Sequence, residues 1–339
     1  MKEVASRSTQ RKPPVARTII FTDDGDGDGS DDDVLVDMTQ ALAVDSKRTK
    51  RLRKRQEKKA SKSSLVGARG FLDLPYEILI EILGILHPRD LVVLSWVNRP
   101  LRHFMFAEED HITETVIATR YVAIAKCFPR PVLLEHVDPA FRSALQNPLR
   151  SKPQPLHQRP FQHIQPPDPS VVCTCLTCIL RWNSLCLALD FAHWQDNLDK
   201  GEPIPMIPRG TCPQWNQQLI SRHADNVTRS LTRPLWYAMI LEAHLDSTIR
   251  SIRRHSLNKG NRRRRFRMTD EDIRAGTDAF LERSGPPTVD TPYHRDNYYM
   301  LEAYLPNRSW IADRGRWVYV PADQHDRDVQ IAVRWAPSR

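Results

Sequence analysis

Residues 71–102 read FLDLPYEILIEILGILHPRDLVVLSWVNRPLR, three short helices with their punctuation between them. Pro75 suits a first helical position, and Glu77 follows in the first turn, where the helix dipole favours an anion. Ile78, Leu79, Ile82, Leu83, Ile85 and Leu86 then recur at helical periodicity within an arc of roughly 160°. His87-Pro88 stops this helix, and Asp90 is placed to cap a second one carrying Leu91, Leu94 and Val97. Asn98 is placed to cap a third, with Pro100 just inside and Leu101, Phe104 and Met105 facing inward.

An ordinary helical hairpin would also show Leu and Ile at this spacing. Here, however, Leu74-Pro75, Glu77, the Pro88 break, Asp90-Leu91 and Val97-Asn98-Arg99 follow one another in a set order. That order resembles an F-box over about thirty residues. About forty residues cannot close a core alone, so a module of this size turns its spare apolar face to a partner. The resemblance implies that the partner is the Skp-type adaptor of a cullin–RING ubiquitin ligase. It also implies that Leu74, Pro75, Ile78, Leu79, Ile82, Leu91, Leu94 and Val97 contact the adaptor or shape the surface that does. Some of these must instead hold the three helices together, and residue type alone does not sort the two sets.

Composition sets the class. The 339 residues have room for two domains less a tail, and an apolar fraction of 40% suffices for a globular core. Proline, at 26 residues, points to long connecting segments. Six cysteines without an opening hydrophobic stretch imply a reducing compartment and thiols, and no apolar run approaches the ~20 residues of a membrane span. A soluble protein of the nucleus and/or cytoplasm is expected.

The net charge of +9 is unevenly placed. Residues 1–68 read as a disordered tail with few aromatic residues, every charge from Asp23 to Asp37 being negative and nearly every one from Lys47 to Lys62 positive. Val34 to Val44 has the apolar content for a transient helix. Lys47, Arg48, Lys50, Arg51, Arg53, Lys54 and Arg55 read as a nuclear localisation signal, which adds an import receptor to the expected partners. A solvated tail balancing the acidic block is the alternative, and nucleic acid is not an expected partner.

The rest of the chain divides as follows. The F-box takes residues 69–110 and a helical extension 111–128. A Pro-rich extended linker takes 129–170, and an α-rich substrate or partner region takes 171–339. Helices are expected over Val171–Leu198, Trp215–Leu231 and Leu235–His255, and another starts at Thr269 with Asp272 completing a capping box and Gly285-Pro286-Pro287 ending it. The tail changes period: Trp310-Ile311, Trp317 to Val320 and Val329, Ile331, Val333, Trp335 alternate as strands do, with Asp313-Arg314-Gly315 as the turn of a hairpin or meander. The fold class is therefore mainly α: a disordered N-terminal tail, a three-helix F-box and a helical C-terminal region ending in a small β-hairpin or meander. This C-terminal half is similar to those of F-box proteins in filamentous fungi, on the strength of Trp182 to Asp196 and Asn258 to Arg267.

Other motifs were weighed against catalysis and metal binding. Cys173, Cys175 and Cys178 are close enough to share a metal, with Cys186, His193 or Cys212 as a fourth ligand. Paired Cys-x-x-Cys knuckles are missing, however, and Cys178, Trp182, Leu185, Cys186, Leu189 and His193 share one helical face, so the cysteines read as small core residues and no metal or other cofactor is expected. The Asp24-Gly25-Asp26-Gly27-Asp28 run opens like a calcium loop but has Leu35 where the bidentate Glu belongs. His294-Arg295-Asp296 mimics a kinase loop without its asparagine, Leu301 standing there instead. The arginines at 250, 253, 254, 262–265 and 267 read as a solvated basic surface. No signature supports an enzyme. The expected function is a non-catalytic F-box subunit of an SCF-type E3 ligase, docked through the adaptor to cullin and presenting an unknown protein substrate. The alternative is a nuclear basic scaffold or nucleic-acid-associated protein outside ubiquitination.

Overall fold

A computed structural model describes residues 51, 54–55, 70–146, 164–208, 211–257, 268–283, 305–306, 308–319 and 324–334. The acidic block, most of the basic tract, Pro153, Pro155 and Pro160, the arginines of 262–267, Gly285 to Pro287, His294 to Asp296 and Trp335 lie outside them. Packing divides the chain into two compact units, Met1–Leu79 and Ile80–Arg339. In the first, Arg51, Lys54 and Arg55 are helical and exposed, and a 3-10 turn at Phe71–Asp73 is closed by the Gly70 N–H donating to Asp73 Oδ2 at 2.6 Å.

The architecture is mainly helical. Three helices cover residues 76–107: α1 (Tyr76–Gly84), α2 (Pro88–Ser95) and α3 (Arg99–Ala107). Asn98 caps α3, its side chain accepting the Leu101 N–H at 2.8 Å. Four placements differ from expectation: Pro75 stands just before α1, Val97 lies beyond the end of α2, and Pro88 and Asp90 also shift. Pro88 does not merely end α1; it is the first residue of α2, where its missing N–H costs nothing and His87 takes the cap position. Asp90 therefore lies within the first turn rather than at the cap.

The expected helical extension is two helices, α4 (Glu109–Arg120) and α5 (Val122–Cys127), broken at the fully buried Tyr121. The first part of the Pro-rich segment is folded: a 3-10 turn covers Leu134–His136, and α6 covers Pro139–Leu145 with Asp138 capping it through Ala140 N–H at 2.9 Å. Leu133 pairs with Val172 in an antiparallel bridge, so Val171 to Cys175 is extended and α7 runs from Leu176 to Lys200. It stops at Gly201, whose φ of 69° is the left-handed conformation that ends helices without Cβ strain. Next come α8 (Gln214–Thr232), α9 (Pro234–Leu257) and α10 (Asp270–Ala275), the last with the expected Thr269–Asp272 capping box. It ends at Gly276.

Two antiparallel strands follow, β1 (Arg308–Ile311) and β2 (Arg316–Tyr319), with Trp310 opposite Trp317 and Gly315 at φ 57° in the turn. The expected third alternation is instead a helix, α11 (His325–Arg334). Val329, Ala332 and Val333 also satisfy an i, i+3, i+4 spacing, and Asp326 and Asp328 sit in the first turn, where the dipole favours them.

In the larger unit α9 is the hub, packed by α7, α8, α4, α2 and α5. Arg250 on α9 ties it to α7 through Asp196 and Asp199. Arg120 closes another junction, donating to the Ile85 carbonyl at the end of α1 and to the Ala275 and Gly276 carbonyls at the end of α10. Helix α1 meets α4 at Gly84, where a Cβ would lie 2.4 Å from Thr115 Cγ2. Gly84→Ala is thus expected to lower stability by about 1 kcal/mol despite alanine's better helix propensity, because overpacking outweighs it. Denaturant melts of that variant and of Gly84→Ala with Thr115→Ala check this; the second should recover the loss.

Candidate functional site

The residues expected to meet a partner separate by burial. Leu79 and Leu91, 3% and 0% exposed, are core and act on the surface only from beneath. The reason lies in the wheel: Leu79, Ile80 and Leu83 occupy the buried stripe of α1, and Leu91 shares the buried side of α2 with Pro88 and Ser95. Leu74, Pro75, Ile78 and Val97 are exposed, and Ile82 and Leu94 are half-buried. Among the larger unit's exposed apolar side chains, three cluster in sequence at the α2–α3 corner: Val93 at 57%, Trp96 at 70% and Val97 at 66%. Trp96 and Val93 were absent from the expected contact set. Their signal was available, since they stand at i and i+3 on the side of α2 away from Leu91.

That corner is a hydrogen-bonded turn. The Trp96 N–H donates to Val93 O and the Val97 N–H to Leu94 O, both at 3.1 Å, and Asn98 leaves the turn in an extended conformation as the cap of α3. Ser95 Oγ donates to Val92 O at 2.6 Å. An apolar group held on a fixed backbone loses little entropy when a partner covers it.

Beneath the start of α2 lies a buried carboxyl. Glu242 on α9 has Oε1 3.2 Å from His87 Nδ1, and its Oε2 accepts the Arg89 N–H at 3.2 Å. Burial, opposed by Arg89, pushes Glu242 up to about 7. Burial, then the Arg120 charge, lowers His87. Both shifts favour the uncharged forms of the two groups.

Two further groupings stand in the C-terminal part. A cleft of ≈370 Å³ is lined by His193 and Trp194 of α7, Pro205, and Trp215 and Arg222 of α8. The two tryptophan rings meet edge to face at 6.1 Å, and Trp194 Nε1 donates to Asp190 at 3.0 Å. Separately, Cys173, Cys175 and Cys178 converge with His325, all four ligand atoms lying within 4.8 Å of one another. Cys186 and His193, two of the alternatives for a fourth ligand, lie eight and fifteen residues farther along α7 than Cys178, about 12 and 22 Å away at 1.5 Å per residue. Cys212 is exposed and is not in the group. Hydrogen bonding from Cys173 raises the Cys175 thiol, and Cys173, Cys175 and burial raise Cys178.

Comparison with protein-family models, curated proteins and solved structures finds no match to this chain. No helix among the described residues is long and apolar enough to cross a membrane.

Proposed function

We propose that this chain is a non-catalytic F-box substrate receptor of an SCF-type ubiquitin ligase. The observation that carries the reading is the exposed apolar corner Val93–Trp96–Val97, inside the stretch whose residue order resembles an F-box. A tryptophan 70% exposed beside Val93 and Val97 has the make-up of an interface anchor. Ile82 and Leu94 at half-burial, and Leu74, Pro75 and Ile78 in the exposed class, are further contacts under this reading. No catalytic group is required of the chain. Tethering raises the effective concentration of substrate lysines near the conjugating enzyme. The aromatic cleft beside Trp194 and Trp215 is the proposed place for a substrate segment.

Co-purification tests it. The tagged chain should bring down the Skp-type adaptor together with cullin; adaptor alone, or neither, would favour a scaffold outside ubiquitination. The basic tract is a separate matter. Replacing Lys47, Arg48, Lys50, Arg51, Arg53, Lys54 and Arg55 by alanine should move a fluorescent fusion from nucleus to cytoplasm. An unchanged distribution removes the localisation signal and leaves the adaptor reading untouched.

A further inference from the structure

The geometry points to a structural zinc site built from Cys173, Cys175, Cys178 and His325. Three thiols and one imidazole form a complete donor set for tetrahedral zinc. With Zn–S near 2.3 Å and Zn–N near 2.0–2.1 Å, tetrahedral ligand atoms stand about 3.6–3.8 Å apart. His325 Nδ1 lies 3.4 Å from Cys175 Sγ and 3.3 Å from Cys178 Sγ, and every pair in the group is inside 4.8 Å. The three cysteines are each 0% exposed. Soft sulfur donors select zinc over magnesium or calcium. Four protein ligands leave no open position, so the site is structural and not hydrolytic.

Two of the sulfurs also accept backbone hydrogen bonds, as ligating sulfurs do. Cys178 Sγ accepts the Val132 N–H and Cys175 Sγ accepts the Cys178 N–H, both at 3.4 Å. Cys175 is the cap of a 25-residue helix, whose N-terminus favours negative charge. The other ring nitrogen of His325 lies 4.0 Å from the exposed Asp326 carboxylate, beyond hydrogen-bond length. An apolar cluster would have no reason to aim a histidine nitrogen at two sulfurs.

The placement also says what the ion does. The cysteines belong to a small satellite core with Leu134, Val137, Leu145, Val329 and Ala332, which joins the 134–145 segment, the start of α7 and α11. Asp328 adds a polar tie to that core, accepting the Thr177 N–H at 3.0 Å and the Thr177 hydroxyl. So small a core gains from a metal clamp, which fastens α11 to a site 147 residues earlier.

The test uses the full chain, purified under reducing conditions from zinc-supplemented culture. Elemental analysis and native mass spectrometry should find one zinc per chain, and chelation should lower the thermal midpoint. Cobalt exchanged into the site should give strong tetrahedral d–d bands and thiolate-to-cobalt charge transfer. His325→Ala should weaken zinc binding by at least about 100-fold, since losing even an outer-shell partner costs 10–100-fold. Cys212→Ser should change nothing. A metal-free chain that takes up neither zinc nor cobalt, an octahedral cobalt spectrum, or undiminished affinity in His325→Ala would each overturn the proposal. Should His325→Ala fail to fold, the wild-type cobalt spectrum decides. None of these readouts depends on adaptor binding.

Discussion

Trp96→Ala is expected to weaken binding to the Skp-type adaptor by roughly thirtyfold or more while leaving the thermal midpoint unchanged. Truncating a buried tryptophan at the centre of an interface costs about 2 kcal/mol or more, and each 1.4 kcal/mol is tenfold in affinity. In the free chain the side chain is 70% exposed, so its removal takes little from the core. Leu91→Ala is the contrasting variant. Leu91 is fully buried, and losing such a side chain removes about 2–5 kcal/mol of stability. It should therefore lower the midpoint first and capture only in consequence. Titration calorimetry with purified adaptor, run beside thermal melts of both variants, separates the two effects. Wild-type affinity in a folded Trp96→Ala protein would remove the corner from the interface and, with it, the observation on which the receptor reading rests.

Local chemistry made much of the fold legible, and distance hid the rest. The Asn98 cap and the Thr269–Asp272 box are contacts between residues three apart, and both form as their residue types dictate. The hairpin turn at Gly315 is legible for the same reason. Pro139 was read as part of an extended linker, yet it starts α6 behind the Asp138 cap, because proline is as much a helix starter as a breaker. The 329–335 alternation failed because a short segment satisfies a period of 2 and a period of 3.6 together, and burial of Val329 and Ala332 on one side settles it as a helix. At the Cys/His group the spacing of the cysteines was visible, but the fourth partner lies 147 residues beyond Cys178, where no pattern could point to it. Glu242 was hidden too. A glutamate in a helix is usually solvated, and only the packing of α2 on α9 buries this one.

That burial makes stability depend on pH in a definite direction. Glu242 releases its proton near 4.5 when unfolded and near 7 when folded. Between those values the folded chain holds a proton the unfolded chain has lost, so stability from this group falls as pH rises through the window. That difference corresponds to about 3 kcal/mol, and the side chain is only 9% exposed, so solvent screens little of it. Asp278, pushed up to about 6 by burial, acts in the same direction over a lower window. His87 opposes both: with its folded value lowered, its contribution rises as pH climbs toward 6.5. Glu242→Gln isolates the one group. Glutamine is neutral at every pH, can donate to His87 Nδ1 and can still accept the Arg89 N–H. The variant should match the wild type near pH 4.5 and exceed its stability at pH 8 by up to about 3 kcal/mol. Denaturant unfolding at the two pH values measures the difference. A variant less stable than wild type at pH 8 would mean that the ion pair with Arg89, 3.6 Å away, outweighs the desolvation of the carboxylate.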